Sequence, residues 1–329
     1  MQFSGYLQTL SKGVVACWSS LGWAVLFGVC VSLMTLNVSA NETPQKLQVV
    51  VSIPPLKFIA EDVMGEQADV RLISQNGSPH HKVMRPSDIQ MLLDADLILW
   101  VGQELEQYLV RFVNRSKATS LPLIAHTSEE NHRHPDEEHG ASDDHAGHSH
   151  HGHNNSVDPH LWMSPTAVQE YVAVLRDHLS AMTPAHAHDF KTNSERLMAA
   201  IDESRLAWQV QVKPYIGQPY FVYHDAYAYL ERELGLDSVA VLTVNPGVKP
   251  SAKKLGQLSR QLSGVTQACV FYEPEFQQVK LDRVTTAQLH YQLLDPLGSK
   301  QSLPSSDTLQ YIEFISRLVG DLTGCLSKL

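Results

Sequence analysis

Between Thr183 and Pro214 the residues Phe190, Ser194, Leu197, Ile201, Trp208 and Val212 follow one another at steps of three, four or seven. All but one are apolar, and the spacing is that of a single helix face. Pro184 stands where a helix opens and Pro214 where one must stop. A helix of about 30 residues is roughly 45 Å long at 1.5 Å per residue. That is long for one globular lobe, so the pattern predicts a spine running between two. A chain of 329 residues is long enough to build both.

Each side of the spine alternates strand and helix. On the N-terminal side, the Val-rich run Leu47–Ile53 reads as a buried strand. Leu56, Ile59, Ala60 and Val63 then take helical spacing, closed by Gly65. Asp69–Ser74, Leu97–Gly102 and Leu121–Ala125 are further strands. Helices are expected after Ser87, read as an N-cap, and over Glu104–Asn114. On the C-terminal side, Pro219–Tyr223, Asp237–Leu242, Ala268–Tyr272 and the short Leu293–Leu294 read as strands. Helices are expected over Ala226–Leu234, Ser251–Leu262 and Asp307 to about Leu322. Such alternation predicts parallel sheets covered on both faces. The divisions are then a signal peptide at 1–40, an N-terminal lobe at 41–182, a connecting helix at 183–216 and a C-terminal lobe at 217–329.

Two segments stand outside the core. Trp23–Leu36 is a 14-residue apolar run, short for a membrane span and the right size for a signal-peptide core. Val38-Ser39-Ala40 suits cleavage after Ala40, so the chain is expected to be exported. Residues 126–156 hold nine histidines and seven acids with almost no large apolar residue, which reads as a mobile His/Asp-rich loop. The net charge of −10 argues against nucleic acid, which needs a basic face. Cys17 and Cys30 leave with the signal, and Cys269 and Cys325 remain. In an exported chain such a pair is a disulfide or, alternatively, two buried thiols.

Ligands of open parallel sheets bind beyond the carboxyl ends of the strands. Four side chains able to hold a metal fall there: His80, His160, His224 and Asp295. Each has an ordinary alternative: a loop histidine for His80 and His160, a core histidine for His224, a turn aspartate for Asp295. Their shared position, two in each half, favours a site between lobes. Three imidazoles and a carboxylate form a nitrogen-rich set that suits zinc, whereas manganese or calcium favours more oxygen. Asp225 and Glu273 are candidates to orient the imidazoles. There is no HExxH and no convincing general base, so an enzyme is not expected. The loop histidines His145, His148, His150, His151 and His153 are expected to bind more weakly than His160, because a flexible loop loses entropy when it closes on an ion.

The segments SPHHKVMRPSDIQMLLDADLILWVG, DPHLWMSP, YFVYHDAYAYLERELGL, TVNPG, CVFYEPEF and LDPLG occur in that order over nearly the whole mature chain. Together they resemble the metal-binding lipoprotein/adhesin-like family, and within it the periplasmic zinc-binding proteins (ZnuA type) of ABC importers. The resemblance implies an α/β fold of two lobes, each a four-stranded, mainly parallel sheet flanked by helices, joined by a long rigid helix. It implies zinc as the transported ion, held by His80, His160 and His224 with Asp295 at or near the site. His224 stands where manganese-type relatives carry Glu. His81 departs from the family pattern and is a possible auxiliary ligand. The pairing of Cys269 with Cys325 also resembles that of gram-negative zinc-type members. The expected protein is a periplasmic monomer that passes zinc to an ABC-type permease in the inner membrane. The alternatives are a manganese- or iron-binding importer component and a zinc-storage or adhesin-type protein.

Overall fold

The structure, a computed structural model, describes residues 46–73, 78–80, 82–128, 157–243, 251–274, 281, 284–299 and 308–329. The signal peptide expected at 1–40, His81, the loop histidines His145, His148, His150, His151 and His153, and most of the TVNPG segment lie outside the described residues.

Eight strands among the described residues form two four-stranded sheets, and every pairing is parallel. The first comprises β1 (Leu47–Val51), β2 (Ala68–Leu72), β3 (Leu97–Trp100) and β4 (Thr119–Pro122), ordered β2-β1-β3-β4. The second comprises β5 (Tyr220–His224), β6 (Ala240–Thr243), β7 (Gln267–Tyr272) and β8 (Gln288–Leu293), ordered β6-β5-β7-β8. The central strands are the apolar ones. All of LILW in β3 and all of YFVYH in β5 are buried, because parallel strands are covered on both faces. In β1, Val49 and Val51 face a core common to both sheets, while Val50 joins a smaller cluster on the outer face of the first sheet. Phe221 and Val270 do the same for the second sheet.

The helices are α1 (Pro54–Met64), α2 (Pro86–Asp94), α3 (Gln103–Glu106), α4 (Val110–Val113), α5 (Pro165–Met182), α6 (Ala187–Val212), α7 (Ala228–Leu234), α8 (Ala252–Gln261) and α9 (Gln310–Leu326). The spine is α6, flanked by single 3-10 turns at Pro184–His186 and Lys213–Tyr215. Its buried residues are Phe190, Ser194, Leu197, Ile201, Trp208 and Val212, the face read from the sequence. Asn193 Nδ2 donates to Val63 O of α1 at 3.1 Å, and Trp208 Nε1 donates to Ser316 Oγ of α9 at 3.0 Å. The rod is therefore bonded to elements of both halves. A buried carboxylate adds a direct tie between them. Asp62 on α1 accepts the Gln310 and Tyr311 N–H groups at 2.8 and 2.9 Å. It thus caps α9, whose own N-cap Leu309 offers no side-chain bond. Burial pushes the Asp62 carboxyl up to about 6, against the pull of those two amides.

Three expectations need correction, and one helix was unforeseen. The helix expected over Glu104–Asn114 is two short ones, α3 and α4, because the Leu109 N–H donates to Glu106 O three residues back, which ends the ladder of four-residue bonds. The helix α2 starts at Pro86 with Arg85 as its cap residue, since proline suits the first helical position, so Ser87 is not the N-cap. β8 runs from Gln288, not from Leu293. It is an edge strand in which Leu289 and Tyr291 pack inward between polar residues, so no apolar run marks it. The helix α5 was not anticipated, although Ser164-Pro165 opens it. The Ser164 side chain accepts the Ala167 N–H, and Ala167, Val168, Tyr171, Val172, Leu175 and Leu179 are buried along it.

Cys269 on β7 and Cys325 on α9 form a disulfide. Gly298, in the turn after β8, has φ +60°, and a Cβ there would stand 3.0 Å from Phe314 and 3.2 Å from Phe58. Gly298→Ala therefore combines left-handed strain with overpacking and is expected to cost about 2–3 kcal/mol. Thermal unfolding checks this, and an unchanged midpoint would refute it.

Candidate metal centre

His224 is the last residue of β5, held in register opposite Thr243 of β6. Its backbone is thus fixed by the sheet. Its ring is 3% exposed, and Nδ1 lies 3.3 Å from Glu273 Oε1. Glu273 follows directly on β7. β5 and β7 are the adjacent strands from which the chain runs to opposite edges of the sheet, and this switch point is where open α/β sheets place ligands.

His160 sits at the start of the 3-10 turn Leu161–Met163. Asp158 orients it twice. Its Oδ1 accepts the His160 backbone N–H at 3.0 Å and lies 2.7 Å from Nδ1. The segment is clamped by the C-terminal half. Tyr229 Oη donates to Asp158 O at 2.8 Å, Tyr311 Oη to Trp162 O at 3.1 Å, and Trp162 Nε1 to Pro296 O at 2.8 Å. Trp162 also lies edge-on to the His160 ring, with centroids 5.2 Å apart. His80 occupies the turn beyond β2, where its N–H is bonded to Ser78 Oγ at 3.3 Å.

These elements bring the three imidazoles together. Ring centroids are 4.9 Å apart for His160 and His224, 5.2 Å for His80 and His224, and 5.5 Å for His80 and His160. One nitrogen from each lies within 4.8 Å of those of the other two. Tetrahedral coordination at about 2.0–2.1 Å sets donors roughly 3.4 Å apart, so the three are at most about 1.4 Å wider than ligand spacing. The Nε2 atoms of His160 and His224 are buried and have no hydrogen-bond partner among the described residues. Orphaned buried polar atoms are costly unless something else satisfies them. With Nδ1 of His160 bonded to Asp158, its Nε2 is the atom offered to an ion, whereas in His224 neither ring nitrogen has a hydrogen-bond partner among the described residues, Nδ1 lying 3.3 Å from Glu273 Oε1.

Asp295 lines the same cavity, as do Glu273 and Trp162. Its Oδ1 accepts the Leu297 N–H and its Oδ2 accepts the Ser299 hydroxyl, each at 3.0 Å. Turn chemistry and proximity to the site thus coexist in one residue. Of the two orienting carboxylates expected, Glu273 faces His224, while Asp225 acts on Glu231, whose carboxyl burial pushes up to about 7. Asp158 was missed. The signal was present, because a short acidic side chain commonly bonds the backbone two residues on.

The profile of the family described as zinc-uptake complex component A, periplasmic (ZnuA), matches residues 49–325. This chain belongs to the ZnuA family. Its relatives include the high-affinity zinc uptake system protein ZnuA of Yersinia pestis, 33% identical over 294 residues, spanning 84% of this chain and 91% of the relative. The protein of the same description from Haemophilus ducreyi is 28% identical over 309 residues, spanning 90% and 99%. Among solved structures, a crystal structure of ZnuA superposes with a TM-score of 0.66 at 19% identity, covering 86% of this chain and all of the other. The periplasmic zinc-binding protein TroA from Treponema pallidum gives 0.68 at 16%, covering 86% and 99%. At such identities the structural likeness speaks to the fold alone. That fold has two parallel four-stranded sheets joined by a long helix, as expected from the sequence.

Proposed function

We propose that this chain is the periplasmic solute-binding component of a high-affinity zinc ABC importer, capturing zinc between its lobes and passing it to the permease in the inner membrane. The observation that carries the reading is the convergence of His80 from the turn beyond β2, His160 from the start of the 3-10 turn Leu161–Met163 and His224 from the end of β5, with two buried Nε2 atoms lacking a partner among the described residues. Zinc accepts three nitrogen donors in a tetrahedral site. The names of the family and of its relatives point to the same ion.

In this reading His80, His160 and His224 bind the ion, which is cargo and leaves the protein unchanged. Asp158 holds the His160 ring with Nε2 inward, and Glu273 places a carboxylate beside Nδ1 of His224. Asp295 supplies negative charge at the remaining side. The bonds from Tyr229, Tyr311 and Asp62 between the halves favour small lobe movements over a wide hinge. Release then follows when docking on the permease distorts the donor set.

The test is a zinc titration followed by calorimetry or by Trp162 emission, with manganese as competitor. One tight zinc site that manganese does not displace is expected, and preference for manganese would overturn the reading. Asp158→Ala removes the group behind His160 and is expected to weaken zinc binding by about 10–100-fold. An unchanged affinity would show that Asp158 does not orient the ligand.

A further inference from the structure

The C-terminal helix α9 has no side-chain cap of its own, and a carboxylate from the N-terminal half supplies one. Asp62 on α1 is 6% exposed. Its Oδ1 accepts the Gln310 N–H at 2.8 Å and its Oδ2 the Tyr311 N–H at 2.9 Å. These are first-turn amides, which have no acceptor within their own helix. Beside them Gln310 Nε2 donates to Glu61 Oε2 at 3.0 Å, and the Phe58 and Phe314 rings pack with centroids 5.7 Å apart. The start of α9 is thus set on α1 by polar and apolar contacts together.

Tyr311 carries that placement to the metal centre. It is fully buried, and its Oη donates to Trp162 O at 3.1 Å. Trp162 lies in the 3-10 turn that His160 opens, where the Met163 N–H donates to His160 O at 3.0 Å. The Trp162 indole stands edge-on to the His160 ring at 5.2 Å, and its Nε1 is fixed on Pro296 O. A shift of the Trp162 carbonyl therefore moves both the turn and the indole that abuts the His160 ring. Asp158 sets how that ring is rotated, whereas Tyr311 sets where its backbone lies. Neither Asp62 nor Tyr311 lines the cavity. The place of Tyr311 Oη depends on the first turn of α9, and a helix end frays when its cap is lost.

We propose that Asp62 and Tyr311 form a positioning relay for the metal centre: the carboxylate fixes the first turn of α9, and the Tyr311 hydroxyl passes that placement to the Trp162 carbonyl and so to His160. The inference rests on the zinc-binding reading. It makes a joint between the two halves of the chain a determinant of affinity without contact to the ion.

The test uses full-length chains carrying Tyr311→Phe, Asp62→Asn or both, and Tyr311→Phe again in His160→Ala and His80→Ala backgrounds. Each is titrated with zinc by calorimetry, with thermal unfolding to confirm that it is folded. Tyr311→Phe, which removes only the hydroxyl, is expected to weaken zinc binding about 10-fold, the lower end of the range for groups behind a ligand. Asp62→Asn keeps the size of the side chain but leaves one amide without an acceptor, and about a 5-fold loss is expected. The double variant should lose no more than about 10-fold, because Asp62 acts through Tyr311. In the His80→Ala background Tyr311→Phe should keep its effect, and in the His160→Ala background it should shift affinity less than about 2-fold, because nothing is left to position. Equal losses in the two backgrounds would mean a general effect on the fold and overturn the proposal. So would independent losses multiplying to about 50-fold in the double variant, or an unchanged affinity in either single one. Should Asp62→Asn fail to fold, Asp62→Ser carries the same outcomes. Absence of tight zinc binding in the unsubstituted chain would remove the functional reading and this inference with it. Tight binding there with no effect of Tyr311→Phe would remove the inference alone.

Discussion

Replacing His224 by alanine is expected to weaken zinc binding by more than about 100-fold while the protein stays folded. The ring contributes one of three converging nitrogens. Losing a donor should exceed the 10–100-fold effect typical of groups that only orient one. The apo fold should tolerate the change, because neither ring nitrogen of His224 has a hydrogen-bond partner among the described residues and removal of the ring breaks no hydrogen bond. The informative control is a chain lacking Asn131–Ser156, which removes most of the His-rich tract and keeps the three histidines. Calorimetry on residues 41–329 should show one tight site and several weak ones, and the deletion should leave the tight site alone. If the deletion abolishes tight binding and His224→Ala does not, the tract is the ligand set and the assignment of His80, His160 and His224 is wrong. That outcome would favour a zinc-storage or adhesin role.

The second large effect is on stability. Cys269 on β7 and Cys325 on α9 are both fully buried and lie 56 residues apart in the chain. Opening a loop of that length releases roughly 4 kcal/mol of denatured-state entropy in the chain-entropy model. For a protein of this size the Cys269→Ala, Cys325→Ala double variant is expected to unfold about 8–15 °C lower under non-reducing conditions. Zinc affinity should change little, because neither cysteine lines the cavity. A midpoint within a degree or two of the unsubstituted chain would refute the expectation.

Local rules were enough wherever a single element decides its own form. The spine's face is a 3.6-residue pattern, and its buried residues are the ones that pattern names. The buried strands β3 and β5 are continuous apolar runs because both their faces are covered. His224 was recognisable because it closes such a run. Edge strands lack that signal, which is why most of β8 was missed. The break between α3 and α4 turns on a single three-residue backbone bond, from the Leu109 N–H to Glu106 O, which no side-chain periodicity encodes.

Residue types and their order along the chain were enough to name the two lobes, the rod between them, the cysteine pair and the three histidines. Each of these rests on interactions a few residues long or on motifs met in sequence. What folding alone could settle is which distant groups share a cavity. Asp158 and Glu273 stand behind different imidazoles, Tyr229 and Tyr311 clamp the His160 segment from the other half, and Asp62 caps a helix 248 residues away. Those contacts join residues whose separation in sequence carries no period, so they exist only once the strand ends of two sheets have been packed against each other.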